Sequence, residues 1–200
     1  MKKSFIYSSV FIFLVLIGVL FFVYSENHLQ TEKKYSGNDV SFIYPNDIAV
    51  EETDEEVILS HTVPFVHQDP CDFQGDGEGL QEIRDFDVTL KVIENSFPEV
   101  IKQNEGESFE LQVSPGFVDE YSLGDISGYK ITKGVEGCGY FTYYIPLEES
   151  KTLIITRSFV PEFNPINTNF ETYLTVFDVI IPTKEEEIFQ SIVSSLKVNR

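Results

Sequence analysis

The chain has 200 residues and a formal charge of −19, from 33 Asp+Glu against 14 Lys+Arg. That balance excludes a nucleic-acid binder, because phosphates need a basic surface. It also disfavours close docking of the acidic part onto anionic lipid headgroups.

Lys2 and Lys3 precede an uncharged apolar run, Phe5 to Tyr24, broken only by Ser8, Ser9 and Gly18. Twenty residues as a helix reach about 30 Å, the thickness of a bilayer core. A signal-peptide core is usually shorter, about 7–15 residues. Residues 1–25 therefore read as an uncleaved transmembrane anchor. A signal sequence cut after Ser25, with Val23 and Ser25 as the small residues, is the alternative. The lysines favour the cytoplasmic side and Glu26 opens the other flank, so the remainder is expected outside the cytoplasm, at a cell membrane crossed once through residues 5–24. No acid lies in residues 1–25, so the rest of the chain carries −21.

Residues 26–38 are polar and aperiodic and read as a stalk, leaving 39–200 as one extracytoplasmic domain. Val40, Phe42 and Tyr44 alternate up to Pro45, which predicts a strand. Val57 to Val63 predicts a second, closed by Pro64. Residues 68–82 carry Asp69, Asp72, Asp76, Glu78 and Glu82 among Pro70, Gly75, Gly77 and Gly79, and read as a long surface loop. Phe86, Val88, Leu90 and Val92 alternate with polar residues as a half-buried strand. Ser96, Pro98 and Glu99 mark a short helix with a capping box.

Residues 106–116 read as irregular or as a short edge strand, and 117–121 as another. Strands are expected around Tyr129–Ile131, over Phe141–Ile145 and over Thr152–Val160, the last two as a hairpin. Pro161 to Asn169 reads as a loop. In Phe170 to Ile181, Phe170, Leu174 and Phe177 have helical spacing while Val179, Ile180 and Ile181 favour a strand, and a helix is expected, with a strand as the alternative. The final helix has Thr183 and Glu186 at capping-box spacing and a stripe of Ile188, Phe189, Ile192, Val193 and Leu196. The fold class is α+β, a mainly antiparallel sheet flanked by helices.

Cys71 and Cys138 are the only cysteines. In an oxidising compartment they are expected to pair, with two free thiols as the alternative. Asp72, Asp76 and Glu78, with Asp69, Glu82 and Asp85 nearby, give oxygens for a weak calcium site, though EF-hand spacing is absent. His61 and His67 flank Pro64 at no recognised zinc spacing and read as strand-end residues. No nucleophile elbow, P-loop or dinucleotide motif is present, and no cofactor is implied. Tyr140, Tyr143 and Tyr144 read either as sheet packing or, with Asp69, Asp72, Asp76 and Glu78, as a contact surface.

Three short motifs follow one another in this order. They are Ser41, Phe42, Tyr44 and Pro45; then Ile126, Gly128 and Tyr129; then Phe189, Ile192, Ser195, Leu196 and Lys197. Over about residues 36–199 the chain resembles the PsbP-like group of α/β/α sandwich domains, named after the photosystem II extrinsic protein. The resemblance implies a central antiparallel sheet with helices on both faces, and carries over no functional residues. The expected function is a non-enzymatic, membrane-tethered interaction domain with a protein partner. The rivals are a small carboxylate-based hydrolase and a calcium-stabilised structural module.

Overall fold

The computed structural model describes residues 32–69, 71–72, 74, 76–135, 138–159 and 170–198. The apolar segment 5–24 and the 161–169 loop lie outside the described residues. Among the described residues no helix is long and apolar enough to cross a membrane.

Glu32–Arg200 forms one compact unit. Glu32–Gly37, expected within the stalk, is strand β1. It pairs antiparallel with β2, Val40–Pro45, Tyr35 opposite Phe42 and the two rings stacked 4.9 Å apart. The polar composition of β1 hid it from a hydrophobic pattern, because most of its side chains face water. Lys197–Val198, strand β10, pairs with the other side of β2 and completes a three-stranded sheet.

The main sheet has seven strands in the order β3-β4-β5-β9-β8-β7-β6, each neighbouring pair antiparallel. They are β3 (Ala49–Glu52), β4 (Val57–His67), β5 (Leu80–Ile93), β6 (Val118–Leu123), β7 (Ile126–Val135), β8 (Cys138–Glu148) and β9 (Lys151–Ser158). β4 runs through Pro64 instead of stopping there. β3 pairs with β4 only from Val57 to Ser60, so among the described residues the part of β4 that holds Pro64 has a strand on one side only, a setting in which proline is tolerated.

Helix α1, Phe97–Glu105, starts after Ser96 as expected. The Ser96 hydroxyl donates to the Glu99 carboxylate at 2.6 Å and makes no bond to the helix backbone. Of the helix expected over 170–181, only Phe170–Tyr173 (α2) is helical. Beyond it Asp178 has φ +70°, and the Ile180 N–H leaves the chain to reach a side chain in β5. Helix α3, Pro182–Ser195, is capped by Ile181 without a side-chain bond, so Thr183 lies inside the first turn and no capping box forms. Glu186 is drawn to an arginine instead, a charge-assisted contact stronger than an exposed cap.

Neighbouring Tyr143 and Tyr144 in β8 point to opposite faces. Tyr143 joins Leu59, Phe86, Leu153, Ile155, Phe189 and Val193 between the main sheet and the layer formed by α3 and β2. Tyr144 joins Val100, Ile101, Val118, Ile131 and Ile154 beneath α1. Two buried layers thus exist, one on each face of a mainly antiparallel sheet. Gly128 of β7 lies so near the Tyr144 carbonyl that a Cβ there would overlap the oxygen, which accounts for glycine in the Ile126–Gly128–Tyr129 motif.

Candidate functional site

Val57, Leu59, His61 and Val63 take successive inward positions along β4, so His61 stands in a core row and is 7% exposed. Its partner comes from an irregularity in β5. His61 pairs with Phe86 and Thr62 with Arg84, leaving Asp85 as the extra residue of a β-bulge. The bulge turns Asp85 and Phe86 inward together, and both are fully buried.

A buried carboxylate needs bonds to offset lost hydration. Asp85 accepts from His61 Nδ1 at 2.7 Å and from the Ile180 N–H at 2.7 Å. His61 Nε2 faces Asp178, 3.9 Å away on the chain leading into α3. The bond to Asp85 raises the His61 pKa above its ordinary value against the opposing effect of burial, and the fields of Asp178 and Asp47 add to it.

A second charged group lies along the same core face. Leu153, Ile155 and Arg157 occupy alternate inward positions of β9. Arg157 donates from Nε to Glu185 at 2.8 Å, from a second nitrogen to the other Glu185 oxygen, and to Glu186 at 2.6 Å. Its guanidinium carbon lies 4.6 Å from the Phe189 ring centre and 5.9 Å from that of Phe141. Burial by itself would favour a neutral arginine, but the two carboxylates outweigh it and hold the group charged. Burial also works against the Glu186 anion, yet the bonds from Arg157 and Gln190 keep its pKa below the usual carboxylate range. For Glu185 burial prevails and pushes the pKa up.

An imidazole oriented through Nδ1 by a carboxylate has the bonding pattern of a general base. Here Nε2 faces Asp178, and a cleft of about 500 Å³ runs along β6 and β7, with Glu120, Tyr121, Ser122 and Tyr129 in its lining. Among the described residues no group of three or more His, Cys, Asp or Glu could hold a metal ion. What the two networks visibly do is tie elements together: Asp85 links β4, β5 and the entry to α3, while Arg157 links β9 to the first turn of α3.

The sequence-predicted residues are distributed differently. Cys71 and Cys138 form a disulfide, with Cα atoms 5.6 Å apart. Asp69 accepts the Cys71 N–H at 2.8 Å, and Asp72 accepts the N–H groups of Gln74 at 3.2 Å and Gly77 at 2.6 Å. These two carboxylates serve the loop's own backbone, as Asp does in turns. Asp76 and Glu78 are exposed. Asp85, grouped with the loop acids from sequence, lies in a strand and belongs to His61. Tyr140 is 39% exposed, beside the disulfide, with Lys133 over its ring at 6.0 Å. Tyr143 and Tyr144 do not belong to a contact surface: both are buried, and Tyr144 donates to Glu105 at 2.5 Å. Burial is the first cause raising the pKa of each. His67 is buried, its Nδ1 2.9 Å from the Phe65 carbonyl.

Sequence reasoning missed both buried networks. The one signal was position. Arg157 follows Leu153 and Ile155 at inward spacing, and Asp85 adjoins Phe86, where strict alternation would seat only one of them inward.

No protein-family model matches the chain, and no curated protein matches it. Among solved structures the chain is similar to PsbP (CyanoP) from the cyanobacterium Synechocystis sp. PCC 6803, at 12% identity and a TM-score of 0.37, over 85% of this chain and 94% of that one. It is also similar to a protein from Bacteroides thetaiotaomicron, at 8% identity and a TM-score of 0.44, over 86% of this chain. The match spans 50% of the Bacteroides protein.

Proposed function

We propose that this chain is a non-enzymatic, membrane-tethered interaction domain, held at a cell membrane through residues 5–24 and displayed outside the cytoplasm. The observation that carries the proposal is the Cys71–Cys138 disulfide. It fastens the acidic loop to the start of β8, two residues from exposed Tyr140. Asp69 and Asp72 stiffen the loop from inside, and Asp76 and Glu78 on it are exposed to solvent. A pre-formed acidic loop suits a basic protein partner, since little ordering entropy is lost on contact. A disulfide is also chemistry of an oxidising compartment, in keeping with the charge asymmetry around the apolar N-terminal segment.

The test is site-specific photocross-linking from position 140 of the full chain in its native membrane. A discrete adduct is expected, weakened by added salt and by Asp76→Lys with Glu78→Lys. An adduct pattern identical in that double variant would refute the acidic loop as the contact.

A further inference from the structure

The main sheet ends at β6, which has β7 on one side and no strand on the other among the described residues. Antiparallel pairing makes backbone groups point alternately toward and away from the partner strand. The Thr132 N–H donates to the Phe117 carbonyl at 2.8 Å, so residues 117, 119 and 121 bond inward to β7 while 118, 120 and 122 point outward. The outward groups of Val118 are already used: its N–H donates to Ser114 at 2.8 Å and its carbonyl accepts from the Ser114 N–H at 2.9 Å. The next outward pairs, on Glu120 and Ser122, belong to exposed residues at the rim of the 500 Å³ cleft.

From these observations we infer that β6 accepts an extended segment of a basic partner by strand addition, with the main chain on Glu120 and Ser122 and a Lys or Arg side chain in the cleft. Residues directly opposite one another on paired strands send their side chains to the same face. A residue added opposite Glu120 therefore projects on the same side as the Glu120 carboxylate. Tyr129, paired with Glu120 across β6 and β7 and stacked on Phe97 at 5.8 Å, forms the cleft wall. Pro146 lines it as well. An apolar wall with a carboxylate at its rim fits a side chain that has an aliphatic stem and a cationic tip. A second copy of this chain fits less well: adding one β6 to another would bring Asp119 and Glu120 beside their counterparts. Ser114 acts as a stop that sets where pairing can begin. No residue of the disulfide-pinned loop lines this cleft, and variants at Asp76 and Glu78 are expected to leave peptide binding unchanged.

The test uses the full chain in detergent micelles and two synthetic ten-residue peptides of alternating β-branched residues, one with Lys and the other with Glu at every second position. The Lys peptide is expected to bind and to slow amide exchange at Glu120 and Ser122, and the Glu peptide is not. Ser122→Pro, which removes an outward N–H, and Glu120→Lys are each expected to weaken the Lys peptide about tenfold. Should Ser122→Pro lower the unfolding midpoint, a Lys peptide N-methylated on alternate amides reads the same backbone bonds without altering the protein. Equal binding by the N-methylated peptide, equal binding by both charge types, absence of binding, or protection of β6 through self-association without peptide would each overturn the inference.

Discussion

Asp85 Oδ1 lies 2.7 Å from His61 Nδ1 at the single residue by which β5 bulges against β4. The pair is buried, and its other oxygen holds the Ile180 N–H. Asp85→Ala leaves a buried imidazole and a buried amide without their acceptor and is expected to cost about 3–5 kcal/mol. Urea denaturation measures the loss, and faster amide exchange at Ile180 would localise it.

The same contact predicts a pH dependence. The folded His61 pKa is raised above the value near 6.5 of an unfolded chain. Protonation is therefore tighter in the folded state. The resulting stability is fully present below about pH 6.5 and is lost as pH rises through the folded pKa. Unfolding midpoints taken from pH 6 to 9 should fall, and His61→Gln should flatten that slope. An equal slope in the variant would assign the effect to another group.

Arg157 bridges Glu185 and Glu186 beneath α3. Arg157→Met leaves Glu185 buried without its cation and is expected to cost about 3–5 kcal/mol. Adding Glu185→Leu should recover much of the loss, because an apolar pair needs no compensating charge. A double-mutant cycle by urea denaturation reads the coupling.

Gly128→Ala places a methyl group against the Tyr144 carbonyl at the end of the β7–β8 ladder, next to the terminal Tyr129–Tyr144 pair. Strand separation must grow there, at an expected cost of about 1–3 kcal/mol. Thermal denaturation checks it, and an unchanged midpoint would mean that the sheet yields at this point.

The disulfide spans a sequence separation of 67. Replacing both cysteines by serine is expected to lower stability by up to about 4 kcal/mol, mainly by freeing the unfolded chain. Reductant should lower the wild-type denaturation midpoint by the same amount and leave the double variant unmoved. Millimolar calcium should shift neither midpoint, because Asp69 and Asp72 are occupied by loop N–H groups.

Local pattern was enough for three strands of the main sheet. Phe86 to Val92 and Phe141 to Ile145 alternate with a period of two, and the β-branched run from Thr152 marks the third. The stripe from Ile188 to Val193 is buried on one side of a helix for the same reason. Composition and the lone cysteine pair pointed to the disulfide. Tertiary structure decided what pattern does not encode. β1 is recognisable only by its backbone bonds to β2, since its polar side chains carry no period. The 170–181 segment is apolar enough for a helix, yet the Ile180 amide is bound by a carboxylate 95 residues away in sequence. Asp85 and Arg157 read in isolation as surface charges, because burial of an ion depends on partners brought together by the fold. Sequence alone thus settled where apolar surface had to be hidden, which follows from local spacing. The fold settled which charges could be hidden with it, because each requires a counter-charge or donor supplied by a distant strand or helix.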